Sequence, residues 1–128
     1  RKILGGGMRQ AGVLAAAGHY ALQHHVRRLA EDHANLHTLA SGLRAVGENH
    51  PVLRGRITVH PWQTNILFTD VQADVAPAFT AWLAQHQIRV TSSLYGGQSR
   101  LRWVTHLDVN AADVQAALDC VARFTLPG

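Results

Sequence analysis

The chain has 128 residues, 47% of them hydrophobic and 16% charged, which is typical of one globular domain and not of a disordered chain. Its net charge of +4 comes from scattered arginines without a basic run or interleaved aromatic residues, so we expect no nucleic-acid partner. No apolar run approaches a membrane span of roughly 20 residues, and the single cysteine cannot form an internal disulfide. We therefore expect a cytoplasmic protein without a membrane partner. Because the chain starts at Arg1 and not at Met, we also expect a piece of a longer protein.

A glycine-rich loop and two helices are predicted first. Lys2 and Arg9 flank three consecutive glycines directly before an alanine-rich segment. Cations beside bare backbone amides at a helix N-terminus can receive a phosphate or a carboxylate, although a hinge or tight turn is the simpler interpretation of the glycines. Helices are predicted over 9–24 and 25–46, with Gly47 ending the second. The smooth first helix is expected to be buried, either within the chain or against a second subunit.

The second helix has one apolar stripe, whose members recur at alternating spacings of four and three. Asp32 lies off this stripe and is expected to face water. His33 and His37 have the spacing of two metal ligands on a helix, but no third ligand is placed, so we expect a packed or partly solvated pair and no metal site. The stripe consists of Leu22, Val26, Leu29, His33, Leu36, Ala40 and Leu43.

Strands and helices alternate in the rest of the chain. Asp70 is expected to end the second strand, and Asn110 with Asp113 predicts a capping box at the start of the last helix. The order predicts an α+β fold, a small and mostly antiparallel sheet covered by helices on one face. We divide the chain into residues 1–50, the loop and two helices, and residues 51–128, the α+β domain. The predicted strands are 56–60, 65–69, 88–90 and 101–106, the helices are 74–87 and 110–124, and 92–99 is a loop.

Arg102 is the second candidate for binding an anion. In the last predicted strand it points away from the face of Leu101 and Trp103. A guanidinium on a strand suits bidentate capture of a carboxylate, and an ordinary exposed arginine is the alternative. Cys120 lacks an activating partner and is predicted to be a small core residue. The end of this strand could be held by hydrogen bonds from Thr105, His106 and Asp108.

Four blocks of sequence resemble low-specificity L-threonine aldolases, in the same order and over nearly the whole chain. The resemblance implies the C-terminal small domain of a fold-type-I pyridoxal-phosphate enzyme, normally a tetramer. Such enzymes cleave β-hydroxy-α-amino acids such as threonine to glycine and an aldehyde. The blocks are LGGGMRQAG at 4–12, LAEDHAN at 29–35, TNILF at 64–68 and RWVTHLDV at 102–109.

The resemblance also implies roles for three residues. Lys2 and Arg9 resemble the pair that reaches the cofactor phosphate across a subunit interface, and Arg102 resembles the arginine that clamps the substrate carboxylate. The lysine that forms the Schiff base lies upstream in this family, in a large domain, and Lys2 does not match it. The partners implied are that N-terminal large domain and further subunits. Alone, the chain is expected to be inert and to carry no catalytic residue.

Two other functions stay open. One is a related β-eliminating lyase of the same fold type. Residues of the absent large domain would decide between this lyase and the aldolase. The other is a free-standing module that binds a small anion or amino acid, which predicts a soluble monomer with measurable affinity. A chain that needs covering partners should instead associate, because its first helix would leave apolar surface open.

Overall fold

The structure, a computed structural model, describes residue 3 and residues 5–127. Its helices and strands follow the predicted order, and the predicted α+β fold is confirmed. None of the described helices is long and apolar enough to cross a membrane. The elements are α1 (Gly12–His24), α2 (Leu29–Asn49), β1 (Ile57–Val59), β2 (Ile66–Val71), α3 (Ala76–Gln85), β3 (Thr91–Tyr95), β4 (Gln98–Val104) and α4 (Ala111–Ala122).

The chain forms two compact units, one ending at Ala30 and one starting at Glu31. The first unit contains α1, which starts at Gly12 and not at Arg9 as predicted. No residue of α1 is buried, and its apolar side chains at Val13 and Leu22 are 74% and 71% exposed. Within its own unit the helix therefore buries none of its residues, and its burial against another part of the chain or a second subunit stays a prediction. The division into domains after residue 50 likewise stays a prediction.

The second unit is built on one antiparallel sheet with the strand order β1-β2-β4-β3. Paired residues of antiparallel strands share a face, so Phe68 lies opposite Arg102 and Asp70 lies opposite Arg100 on one side. We call this side, with these four residues, the outer face. The other face belongs to a core shared with α2, α3 and α4, whose large members include Leu36, Leu43, Leu53, Leu67, Val71, Val75, Phe79, Leu83, Leu101, Trp103, Val121 and Phe124.

Strand β3 differs from the sequence prediction of a strand at 88–90 and a loop over 92–99. Residues 91–95 instead pair with β4 in a hairpin. Gly96 and Gly97 form its turn with φ values of +58° and +79°, the left-handed conformation that a two-residue type I′ turn requires. Every residue of β3 is exposed, so this edge strand lacks the alternating hydrophobic pattern by which strands are recognised in a sequence.

Helix α2 differs from its prediction at both ends. It runs to Asn49, beyond Gly47, where an added Cβ would lie 3.1 Å from the carbonyl oxygen of Ile57. Glycine at this position therefore allows close packing against β1 and does not end the helix. Asp32 is only 3% exposed, contrary to the expectation that it faces water, and the Thr105 hydroxyl donates to its backbone carbonyl at 2.7 Å.

The predicted capping box of α4 is confirmed. The Asn110 side-chain oxygen accepts hydrogen bonds from the backbone N–H groups of Ala112 and Asp113 at 2.8 and 3.1 Å. The Asp113 carboxylate in turn accepts the Asn110 N–H at 2.9 Å. These bonds satisfy backbone donors that have no partner within the helix.

We expect Asn110→Ala to lower the free energy of unfolding by about 1 kcal/mol, because the helix loses its side-chain acceptor. Urea denaturation monitored by circular dichroism measures the loss. Gln115→Ala, which removes only an exposed bond to Asp119 on the same helix, is the control and should cost less than about 0.5 kcal/mol. Equal losses in the two variants would contradict the capping role.

Candidate functional site

Arg102 lies where the sequence predicts, on the outer face of β4. Its neighbours Leu101 and Trp103 are 0% and 3% exposed on the core side, whereas Arg102 itself is exposed. Its side chain forms no hydrogen bond or ion pair with the residues that the structure describes. Phe68, its partner across the strand pair, is an aromatic residue that is 40% exposed. An exposed and unpaired guanidinium next to an exposed aromatic side chain can bind a carboxylate in a bidentate manner.

Hydrogen bonds fix the strand end that follows Arg102. The Asn65 side chain donates to the Thr105 carbonyl at 2.8 Å, and the Thr105 N–H donates to the Asn65 carbonyl at 3.1 Å. The bond from the Thr105 hydroxyl to α2 adds a third attachment, and the Asp108 N–H donates to His106 at 3.3 Å. The anchoring predicted for Thr105 is therefore confirmed and fixes the strand end after Arg102, whereas the bond between His106 and Asp108 is local to the loop that follows β4.

The outer face carries a second arginine, Arg100, which the sequence analysis did not single out. Its Nε and Nη2 donate to the two carboxylate oxygens of Asp70 at 2.7 and 2.8 Å. His60 Nε2 donates to the same carboxylate at 2.7 Å, and the Arg100 Cζ lies 3.8 Å from the centre of the Tyr95 ring. Asp70 belongs to β2 and does not end it as predicted, because these partners compensate its charge.

Asp70 is strongly acidic in the folded protein. The hydrogen bonds from Arg100 lower its pKa from 3.8 to about 2, with further lowering by His60, against the opposing effect of burial. The hydrogen bonds to Asp70 in turn raise the pKa of Arg100. The lowering of the Asp70 pKa corresponds to about 2 kcal/mol of stabilisation of the folded state at neutral pH. The signal for this pair in the sequence was an aspartate inside an apolar strand pattern and an arginine two residues before Arg102.

The structure describes only one of the two residues that are predicted to bind a phosphate. Arg9 is exposed and lies three residues before α1, and the glycines at 5–7 are exposed as well. An exposed guanidinium beside accessible glycine backbone has the chemistry to hold a phosphate. Lys2 lies outside the described residues. Arg9 belongs to the first compact unit and Arg102 to the second.

Other candidate groups lack the features of a site. His33 and His37 are both exposed, and the described residues contain no cluster of three side chains that could hold a metal. Cys120 is 2% exposed, and burial raises the pKa of its thiol, which agrees with the predicted core role. A cavity of about 200 Å³ lies beside the ends of β4 and α4, but neither Arg9 nor Arg102 lines it.

Stability is expected to fall in acid because of Asp70. The pKa of Asp70 is lower in the folded than in the unfolded protein. Its contribution to the stability of the fold is therefore complete above pH 3.8 and is lost as the pH falls towards about 2. We therefore expect the difference in unfolding free energy between the wild type and Asp70→Asn to shrink by about 2 kcal/mol between about pH 6 and about pH 2. Urea denaturation at both pH values measures it.

Asp74→Asn is the matched control for this experiment. Asp74 forms an exposed ion pair with Arg56 at 3.2 Å, and such pairs contribute less than about 1 kcal/mol. A difference between the wild type and Asp70→Asn that is the same at both pH values would contradict the assignment.

Comparison with known proteins places the chain in a family. Residues 1–74 match the family model described as beta-eliminating lyase. The low specificity L-threonine aldolase of Escherichia coli K12 is 41% identical over 110 residues, which are 86% of this chain and 29% of that protein. The probable low-specificity L-threonine aldolase 2 of Arabidopsis thaliana is 38% identical over 126 residues, which are 97% of this chain and 33% of that protein.

Structural comparison supports the fold. The crystal structure of 8-amino-7-oxononanoate synthase from Francisella tularensis superposes with a TM-score of 0.63 at 17% identity, over 85% of this chain and 30% of that one. The chain therefore spans about a third of the length of the relatives it matches. Because the family model covers more than half of the sequence, the chain belongs to the beta-eliminating lyase family.

Proposed function

We propose that the chain is the C-terminal part of a cytoplasmic, oligomeric L-threonine aldolase that depends on pyridoxal phosphate. The complete enzyme would cleave β-hydroxy-α-amino acids such as threonine to glycine and an aldehyde. The observation that carries the proposal is Arg102, an exposed and unpaired guanidinium on a firmly anchored strand. The identity of 41% to an L-threonine aldolase over most of the chain supports it.

Arg102 would hold the α-carboxylate of the substrate. Its guanidinium can donate two parallel hydrogen bonds to a carboxylate, which fixes the orientation of the amino acid as well as its position. Lysine offers only a point charge and does not reproduce this geometry. The anchored backbone after Arg102 limits how far the bound amino acid could shift during the reaction.

Arg9 and Lys2 would hold the phosphate of the cofactor. A phosphate carries close to two negative charges, so two cations with glycine N–H groups between them match it chemically. Pyridoxal phosphate, when bound, supplies the electron sink for the carbanion that carbon–carbon cleavage leaves behind. The only lysine of the sequence is Lys2, and the resemblance assigns it to the phosphate. We therefore expect covalent attachment of the cofactor and turnover to require the large domain.

A chimera tests this proposal. The N-terminal two-thirds of the Escherichia coli relative is joined to this chain, and acetaldehyde release from L-threonine is measured. We expect an active chimera and an inactive isolated chain. Arg102→Lys should lower kcat/KM by about a hundredfold, because a bidentate charged contact is lost. Arg54→Lys, an exposed arginine before β1, is the control and should leave kcat/KM unchanged.

Each other result has a definite meaning. A folded chimera that binds pyridoxal phosphate but does not cleave threonine would contradict the aldolase. Release of a β-substituent in place of an aldehyde would favour the related lyase. Full activity in Arg102→Lys would remove Arg102 from the carboxylate site. Threonine cleavage by the isolated chain, retained after denaturation and refolding, would disprove the requirement for a large domain.

The isolated chain is expected to self-associate, because α1 exposes apolar side chains along its whole length and such patches are normally covered. Light scattering over a range of concentrations measures the mean mass. Val13→Ser with Leu14→Ser should reduce the association, whereas Thr38→Ser on the exposed side of α2 should not. A stable monomer that binds glycine with high affinity would instead favour the free-standing binding module.

A further inference from the structure

Two guanidinium groups stand on the outer face of β4, and their surroundings differ. Arg100 has two of its nitrogens on Asp70, one face of its guanidinium lies under the Tyr95 ring, and its side chain is 24% exposed. Arg102, two residues along the strand, is exposed and has no such partner among the described residues. Of the arginines that the structure describes on this face, only Arg102 is therefore available to a ligand.

We infer that Asp70 determines the charge selectivity of the outer face, because it occupies Arg100 and leaves one cation for the ligand. The site would accept an amino acid with a single carboxylate and discriminate against one with a second carboxylate on its side chain, such as a β-hydroxyaspartate. This inference rests on the proposed function, since it takes Arg102 as the carboxylate site. It adds a specificity-determining residue that does not itself touch the substrate.

The spacing of the two arginines makes Asp70 decisive. Alternate residues of a strand point to the same face about 7 Å apart, and arginine side chains are long and flexible. A free Arg100 could therefore reach the second carboxylate of a dicarboxylate held by Arg102. With both cations available, the second contact would be intramolecular and would strengthen binding through a high effective concentration.

Asp70 is difficult for a ligand to displace. Asp70 is 8% exposed, and its carboxylate accepts three hydrogen bonds, two from Arg100 and one from His60. A ligand that took Arg100 would leave this buried charge without its main partner, which is costly. The ion pair of Asp70 and Arg100 therefore stays intact when a dicarboxylate is present, and Arg100 contributes nothing to the binding of the dicarboxylate.

The test is an NMR titration of the full chain. The arginine Nε–H signals are followed while acetate or succinate is added at constant ionic strength. In the wild type we expect both acids to shift the Arg102 signal, with succinate binding about twice as tightly, the statistical factor for two equivalent carboxylates. In Asp70→Asn succinate should bind at least about tenfold more tightly than acetate. Asp70→Asn with Arg100→Gln is the control and should return the ratio to the wild-type value.

Two results would overturn the inference. One is an unchanged ratio of succinate to acetate affinity in Asp70→Asn. The other is a shift of the Arg100 signal by succinate in the wild type, a measurement that needs no variant and so does not depend on the folding of Asp70→Asn. If neither acid shifts the Arg102 signal, the carboxylate site of the proposed function fails as well, so the two failures can be told apart.

Discussion

Strand β4 contributes side chains to both faces of the sheet, and the candidate site depends on this constraint. Leu101 and Trp103 fill the core, which fixes the register of the strand, because a slip of one residue would turn both outward. The same register places Arg100 and Arg102 on the outer face. The packing energy of the core therefore positions the guanidinium groups, and no separate structure is needed to aim them.

The outer face is organised by charge compensation. Asp70 and Arg100 lie directly opposite each other on β2 and β4, and opposite charges stabilise a cross-strand pair. The pair is partly buried and strengthened by His60 and Tyr95. One arginine is thereby held in a structural ion pair, whereas the guanidinium of Arg102 has no partner among the described residues. The two arginines have different surroundings because Arg100 has an aspartate opposite it and Arg102 has a phenylalanine.

The two compact units contrast in how they are stabilised. The unit that starts at Glu31 contains the buried core, whereas α1 in the other unit buries none of its residues. An isolated helix of this length is marginal in water without packing. Its apolar side chains are consistent with a covering partner, which the proposed function provides in the form of a large domain or another subunit.

The sequence by itself determined the order of the elements, the capping box of α4 and the outward direction of Arg102. These features depend on local periodicity and on side chains close in sequence, such as Asn110 and Asp113. Only the tertiary structure decided the pairing of Asp70 with Arg100, the burial of Asp32 and the strand at 91–95. Each depends on residues far apart in the chain: a counterion on another strand, the packing of α2 against the segment after β4, and the hydrogen-bonding edge of β4. From the sequence alone, a polar residue is predicted to end a strand or to lie in a loop, because its distant partner is not known.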